Sequence, residues 1–120
     1  MKVTTLTPFS IDDRGFVANY LHERTGEHLI VFSKKGAVRG RHYHNGLSKT
    51  KNPEKLILAS GTCEIQIKNL ASGNTETFTI TAPALIAIMP FEWHELKALS
   101  DCCFIEMNSL QEHIDDTFYE

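Results

Sequence analysis

Apolar and polar residues alternate in short runs along most of this chain. In the clearest example Cys63, Ile65 and Ile67 alternate with polar or charged residues, as on a strand with one buried face. Other short runs alternate in the same way or are continuously apolar, and turn-forming residues separate them. We predict strands over residues 3–9, 16–21, 28–32, 37–44, 56–59, 63–68, 76–80, 85–89, 94–99 and 102–107.

The spacing of these runs predicts the fold class. Many short strands about ten residues apart, with almost no helical period, indicate an all-β antiparallel sandwich or barrel. The end of the chain is the exception, because Ser109 and Glu112 have the spacing of a capping box. We therefore predict a short C-terminal helix that reaches about Asp115. The length of 120 residues and the lack of repeats or linkers predict one domain over residues 1–120.

Composition narrows the setting in which the protein works. Hydrophobic residues make up 42% of the chain, as in ordinary globular domains, and no apolar run approaches the ~20 residues that span a bilayer. The N-terminus lacks the apolar stretch of a secretory signal, so we expect a cytoplasmic protein that does not bind membranes. The three cysteines form no C-x-x-C pair, and we expect reduced thiols packed as small core residues.

Charge is distributed unevenly along the chain. The net charge is -3, yet seven of the twelve basic residues lie between Lys34 and Lys55, where Glu54 is the one acid. Such a local positive field predicts an anionic small molecule or an anionic partner surface. The alternative is a solvated basic loop without a ligand. A nucleic-acid partner is not expected, because no basic stripe with interleaved aromatic residues runs through the domain.

Two histidines and a glutamate stand where the pattern predicts buried strands. Residues two apart on a strand share a face, so His42 and His44 point the same way. If Glu54 opens the next strand, its carboxylate lies among aliphatic side chains, where charge is costly unless it is paired or bound to a metal. His94, at the start of a later strand, is available as a third imidazole. Zinc, iron, nickel and manganese would all suit these ligands.

Strand alternation also has consequences for the neighbouring charges. It predicts Arg39 and Arg41 on the face opposite His42, and it places Glu54 and Lys55 on opposite faces of their strand. The alternative for the two histidines is a pair of polar residues on a wet face, with Glu54 as a surface carboxylate. Three further histidines follow no spacing that indicates chemistry: His22, His28 and His113.

The spacing of the histidines resembles a known family. The first motif of the cupin superfamily has a glycine, five residues and H-x-H, and then a glutamate that is followed by six residues and a glycine. The chain resembles this motif at Gly36, His42, His44, Glu54 and Gly61. Nine residues separate His44 from Glu54, whereas the family usually has three or four. Pro90 followed by His94 resembles the second motif. The resemblance implies a cupin-type double-stranded β-helix with a divalent metal bound by His42, His44, Glu54 and His94.

A narrower resemblance concerns the segment VRGRHYH, Val38 to His44. It is similar to a signature of cupins that act on nucleotide sugars, namely 3,5-epimerases, keto-isomerases and capsular polysaccharide enzymes. This implies that His42 is a base next to a ketone and that Arg39 holds a diphosphate. Lys55 lies one residue from the position of a lysine in those enzymes and is the third catalytic candidate. The segment TKNPEKL resembles the metal-binding capsular cupins.

These observations leave two classes of function open. The first is a metal-dependent isomerase or epimerase that acts on an anionic sugar or a nucleotide sugar, with a metal-dependent dioxygenase as the alternative enzyme. The second is a module that binds a sugar or an anion without changing it. A small sandwich leaves edge strands exposed, and the cupins that the chain resembles tend to form oligomers. We therefore predict a homodimer in which the N-terminal strand pairs across a two-fold axis.

Overall fold

Most of the predicted strands are present, and a single helix follows them within the part of the chain that the structure describes. The computed structural model describes residues 1–119. Its elements are β1 (Lys2–Thr5), β2 (Ser10–Asp12), β3 (Gly15–Val17), β4 (Leu29–Ser33), β5 (Val38–His42), β6 (Glu54–Ser60), β7 (Thr62–Asn69), β8 (Thr75–Thr81), β9 (Ala84–Ile88), β10 (Glu92–Ala98), β11 (Cys102–Glu106) and α1 (Leu110–Asp115).

The strands form two large antiparallel sheets. Across residues 1–119, one sheet has five strands in the order β1-β9-β6-β11-β4, and the other has four in the order β5-β10-β7-β8. The strands β2 and β3 pair with each other as a separate hairpin. This arrangement confirms the predicted all-β cupin-type sandwich with a short C-terminal helix.

The core is apolar and includes one carboxylate. Leu56 and Leu58 on β6, Ile65 on β7 and Ile86 on β9 are at most 4% exposed. Burial of each such side chain contributes about 1.5–3 kcal/mol. Glu54 opens β6 two residues before Leu56, so the same alternation directs its side chain inward, and it is only 3% exposed. The prediction that Glu54 shares the interior with aliphatic side chains is confirmed.

The glycine that follows β6 is required by the tight connection to β7. Gly61 has φ 90°, a left-handed conformation that glycine adopts without steric cost. A Cβ atom at this position would lie 2.2 Å from the carbonyl oxygen of Asp101. No side chain therefore fits where the sequence pattern has its final glycine.

A β-bulge in β5 overturns one prediction about side-chain direction. Between His42 and Gly40 the pairing with β10 advances by only one residue, so Arg41 is an extra residue with φ 60°. A bulge of this kind resets the alternation of the strand. Arg39 therefore lies on the same face as His42, whereas uninterrupted alternation placed it on the opposite face.

The segment after β3 also differs from the prediction. We expected a strand over residues 16–21, but β3 ends at Val17. β3 pairs only with the three residues of β2 within the described chain, and Phe9 N–H donates to the Val17 carbonyl at the open end of the hairpin. Beyond Val17 the backbone has no neighbouring strand in this register, so the extended pattern does not become a strand.

The C-terminal helix begins as predicted. The Ser109 hydroxyl accepts the N–H of Glu112 at 3.1 Å, and the Glu112 carboxylate accepts the N–H of Ser109 at 3.0 Å. This reciprocal pair is a capping box, and it fixes the start of α1. Among residues 1–119 no helix is long and apolar enough to cross a membrane.

Candidate metal centre

Three imidazoles and one carboxylate meet between the two sheets. The candidate ligand nitrogens of His42, His44 and His94 all lie within 4.8 Å of one another, and the three residues are buried. Glu54 Oε2 lies 2.8 Å from His44 Nε2 and 3.4 Å from His94 Nε2. The end of β5, the start of β6 and the middle of β10 thus bring together the four residues that the sequence predicted as metal ligands.

Backbone carbonyl groups set the tautomers of two rings. His44 Nδ1 lies 2.6 Å from the carbonyl oxygen of Asp116, and His94 Nδ1 lies 2.9 Å from that of Glu92. A carbonyl oxygen only accepts hydrogen bonds, so each Nδ1 carries the proton. In the neutral ring the Nε2 atom then has a free lone pair. These two lone pairs face Glu54.

Glu54 is an ionised carboxylate inside the protein. Burial by itself would raise its pKa, but the contact with His44 and the positive charge of Lys51 outweigh burial and hold the pKa well below its usual range. Glu54 Oε2 and His44 Nε2 are both buried without a hydrogen-bond donor. Two acceptor atoms at 2.8 Å require either a second proton on the ring or a cation that both can bind.

Burial favours the neutral form of the other imidazoles. It lowers the pKa of His42 to about 3, with further contributions from His94 and His44, and it also lowers the pKa of His94. Neutral imidazole is the form that binds metal ions. Imidazole nitrogens beside a carboxylate are ligands for zinc, iron, nickel and manganese. The residues present therefore fit a divalent metal ion, and the three-histidine group could hold one.

The cavity at this cluster is narrow. Its volume is about 40 Å³, and its lining includes His42, Glu54, His94, Arg39 and Glu106. One water molecule needs about 10–15 Å³ of such space, so the cavity suits an ion with very few water molecules. Pockets that enclose a whole drug-sized ligand are about 300–1,000 Å³. Only a small part of a large ligand can enter.

Arg39 lies at the cavity because of the bulge in β5. Its Nε donates to the Ser33 hydroxyl at 2.7 Å, and its Nη2 donates to the carbonyl of Phe32 at 2.7 Å. These bonds connect β5 to the last residues of β4, in the opposite sheet. They use two of the five N–H groups of the guanidinium, which is held in a fixed position in the cavity wall.

The third catalytic candidate is not brought to the cluster. Lys55 follows Glu54 on β6 and points to the other face, where its Nζ bonds the two carboxylate oxygens of Glu23 at 2.9 and 3.1 Å. Its position does not support a catalytic role. Arg41 likewise pairs with Glu95 at 2.9 Å. Part of the positive field predicted for this segment is therefore neutralised by local ion pairs.

Sequence patterns missed several residues at the site. Lys51 is fully buried, and its Nζ lies 3.1 Å from Glu54 Oε1. His113, which no spacing marked as chemically relevant, has its ring centre 5.3 Å from that of His42, and burial is the main cause that lowers its pKa to about 4. His113 comes from α1, more than sixty residues after the H-x-H pair, and no local pattern signals this contact.

Glu106 is a second carboxyl group in the cavity wall. Burial raises its pKa, and the nearby charge of Glu54 raises it further. The two carboxyl groups of this cavity thus have pKa values shifted in opposite directions. Pairs with opposite shifts are typical of sites in which one group stays ionised and the other carries a proton.

Asp116 shapes both the loop after β5 and one of the imidazoles. It is fully buried, and its carboxylate accepts the backbone N–H groups of Asn45, Gly46 and Ser48 at 2.8, 3.1 and 3.0 Å. Its own carbonyl oxygen is the partner of His44 Nδ1. One residue near the end of the chain thus fixes the loop and the tautomer of His44 together.

The sequence matches a known family over nearly its whole length. The family described as "Polysaccharide biosynthesis C-terminal domain" matches residues 10–118. The chain belongs to this family. None of the curated proteins compared with the sequence matches it significantly.

Solved structures share the fold of this family member at low identity. The capsular polysaccharide assembling protein CapF from Staphylococcus aureus is 19% identical with a TM-score of 0.62, over 95% of this chain and 34% of that one. A 3,4-ketoisomerase from Helicobacter canadensis is 18% identical with a TM-score of 0.72, over 99% and 90% of the two chains. QdtA, a sugar 3,4-ketoisomerase from Thermoanaerobacterium thermosaccharolyticum solved with TDP, is 15% identical with a TM-score of 0.72, over 99% and 87%. The present chain spans about a third of the length of CapF, and at these identities the likeness shows the fold.

The contacts of Asp116 predict a specific loss of stability. In Asp116→Asn the side chain keeps its size, but an NH₂ group replaces one carboxylate oxygen. All three backbone N–H groups then lose a charged partner, and at least one of them loses its acceptor. We expect the free energy of unfolding to fall by about 2 kcal/mol, as measured by urea denaturation.

Asp115→Asn is the matched control, because Asp115 is the exposed neighbour and its carboxylate accepts a hydrogen bond from Gln111 at 2.8 Å on the helix surface. Its unfolding free energy should stay within about 0.5 kcal/mol of the native value. Equal effects of the two substitutions would contradict the role given to Asp116.

Proposed function

We propose that this protein is a divalent-metal-dependent isomerase or epimerase that acts on the sugar part of an anionic substrate such as a nucleotide sugar. The observation that carries the proposal is the pair of facing acceptor atoms, His44 Nε2 and Glu54 Oε2, 2.8 Å apart and without a donor. They lie beside two further imidazoles that burial keeps neutral. A cation bound at this site would satisfy both acceptor atoms and would also have the two neutral imidazoles as ligands.

The residues have separate roles in this proposal. His42, His44, His94 and Glu54 would hold the ion, which is zinc, iron, nickel or manganese. When bound, such an ion acts as a Lewis acid that polarises a carbonyl oxygen. In a metal-free site His42 would instead be the base, as the resemblance to nucleotide-sugar cupins implies.

Glu106 is suited to transfer the proton that an isomerisation or epimerisation moves. An isomerisation or epimerisation removes a proton from a carbon next to a carbonyl group and returns a proton elsewhere, so the total does not change. Glu106 lines the cavity, and its raised pKa means that the carboxyl group holds a proton more firmly than an exposed one. A raised pKa also makes the ionised form of Glu106 a stronger base, so we assign removal of this proton to the Glu106 carboxylate and its return to the carboxyl group that results.

The size and charge of the cavity support an anionic substrate that stays partly outside. A space of about 40 Å³ admits the reacting carbons of a sugar but not a nucleotide. Arg39 is fixed in the cavity wall, where a guanidinium can pair with phosphate oxygens. The fold shared with a ketoisomerase solved with TDP supports the same assignment.

Proton exchange with solvent tests the function directly. Protein loaded with Zn²⁺, Mn²⁺, Ni²⁺ or Fe²⁺ in turn is incubated in D₂O with nucleotide-linked 4-keto sugars, and NMR follows deuterium at the carbons beside the ketone. We expect deuterium incorporation that depends on the metal. The double variant His44→Ala, His94→Ala should lose bound metal and exchange together, because two ligands are gone.

A second double variant, His22→Ala with His28→Ala, is the matched control. These two histidines contact each other outside the cluster, with ring centres 5.7 Å apart, so metal content and exchange should remain native. Binding of the sugar without exchange would replace the enzyme with a binding module. Oxygen consumption in place of exchange would indicate a dioxygenase.

We also propose that the protein is a homodimer. The chain exposes 7066 Å² of surface, whereas a monomer of its 13.6 kDa mass is expected to expose about 6,600 Å². The separate β2–β3 hairpin carries Ile11, Phe16 and Val17, which are 73%, 46% and 53% exposed. An isolated hairpin is marginally stable at best, so a second copy packed against this apolar hairpin would stabilise it.

Light scattering after size exclusion tests the dimer. We expect twice the chain mass for the native protein, and one chain mass for Ile11→Asp, because a charge in the centre of the contact is costly. Ile114→Asp, at an exposed position on α1, should remain a dimer. A native protein with the mass of one chain would contradict the proposal.

A further inference from the structure

A buried lysine lies directly behind the candidate metal ligands. Lys51 is 0% exposed, and its Nζ lies 3.1 Å from each of three acceptors: Glu54 Oε1, Asn108 Oδ1 and His113 Nδ1. An ammonium group has three N–H donors, so each of them has a partner. A lysine with all donors engaged holds its neighbours in position and is not free to act as a nucleophile.

The two oxygens of Glu54 consequently have different partners. Oε1 accepts from Lys51, while Oε2 faces His44 and His94 at 2.8 and 3.4 Å. Rotation of the carboxylate would break the bond to Lys51 inside the protein, where a lost charged hydrogen bond is expensive. Glu54 can therefore offer one oxygen to an ion among the histidines, and it retains the other for Lys51.

The loop that carries Lys51 is itself fixed from three directions. The Arg24 guanidinium donates to the carbonyls of Thr50 and Pro53 at 2.8 and 2.5 Å, on either side of the lysine. The Thr50 hydroxyl donates to Glu112 at 2.8 Å, and the Asp116 carboxylate holds the start of the loop. The position of the ammonium is thus built into the fold, within the nine residues that separate His44 from Glu54.

We propose that Lys51 is a positioning residue that keeps Glu54 a one-oxygen ligand and cancels its charge. This inference rests on the proposed function, because it concerns the same metal site. With Lys51 and Glu54 neutral as a pair and the imidazoles neutral, a bound divalent ion presents its full charge of +2 to the cavity. The site then favours anionic oxygen or nitrogen ligands at the open positions, in line with an anionic substrate.

The test uses Co²⁺ as the metal and azide as the anion. Co²⁺ reports its ligands through its visible absorption, and azide binding changes that spectrum. In Lys51→Met the free Glu54 oxygen can also bind the ion, and the site charge falls by one. We expect a changed Co²⁺ spectrum and an azide affinity at least about tenfold weaker than native.

Two further variants separate the effect of the Lys51 charge from the effect of its hydrogen bond to Glu54. Lys51→Gln retains an N–H donor for Glu54 Oε1 but no charge, so we expect a nearly native Co²⁺ spectrum with azide affinity still weakened. Lys55→Met is the matched control, because Lys55 follows Glu54 on β6 but pairs with Glu23 away from the cluster. It should keep the native spectrum and the native azide affinity.

The outcomes distinguish this inference from the proposed function. If the native protein binds no Co²⁺, the metal site itself fails. If it binds Co²⁺, but Lys51→Met retains the native spectrum and azide affinity, only the role of Lys51 is overturned. Should Lys51→Met not fold, Lys51→Gln decides alone, and native azide affinity in that variant overturns the inference.

Discussion

The ionised carboxylate of Glu54 inside the sandwich is the constraint on which the site depends. A buried charge is tolerated only when its surroundings satisfy it. Here one oxygen accepts from a buried ammonium and the other faces two imidazole nitrogens. The strands β5 and β10 supply His42 and His94, and β6 supplies the carboxylate. The segment between β5 and β6 supplies His44 and the lysine. The apolar core around Leu56 and Leu58 is built around this polar cluster.

The C-terminal segment, residues 108–116, contributes contacts that complete the site. Asn108 and His113 accept from Lys51, and Asp116 orients His44 and the loop behind it. These contacts join residues more than fifty positions apart. Stability of the C-terminal segment and geometry of the cluster are therefore coupled, because Lys51 and His44 each lose a partner when that segment leaves.

The sequence predicted the part of this site that strand alternation and motif spacing can specify. The inward direction of His42, His44 and Glu54 was predicted because His42 and His44 follow the bulge two residues apart and Glu54 is the first residue of β6. Arg39 was assigned to the wrong face because the bulge at Arg41 depends on backbone conformation, which residue alternation does not reveal. Lys51 and His113 could not be predicted, since their position follows from long-range packing of a loop and a helix. A buried lysine is also rare enough that a basic loop is normally assigned to solvent.

The most direct test of this account is a crystal structure of the protein loaded with Zn²⁺, measured at the zinc absorption edge. We predict one anomalous peak within about 2.0–2.2 Å of the imidazole nitrogens of His42, His44 and His94 and of Glu54 Oε2. Lys51 should remain on Glu54 Oε1. A fully loaded crystal with no peak at this cluster, and with a direct hydrogen bond between His44 and Glu54, would contradict the claim that these acceptor atoms converge to bind a cation.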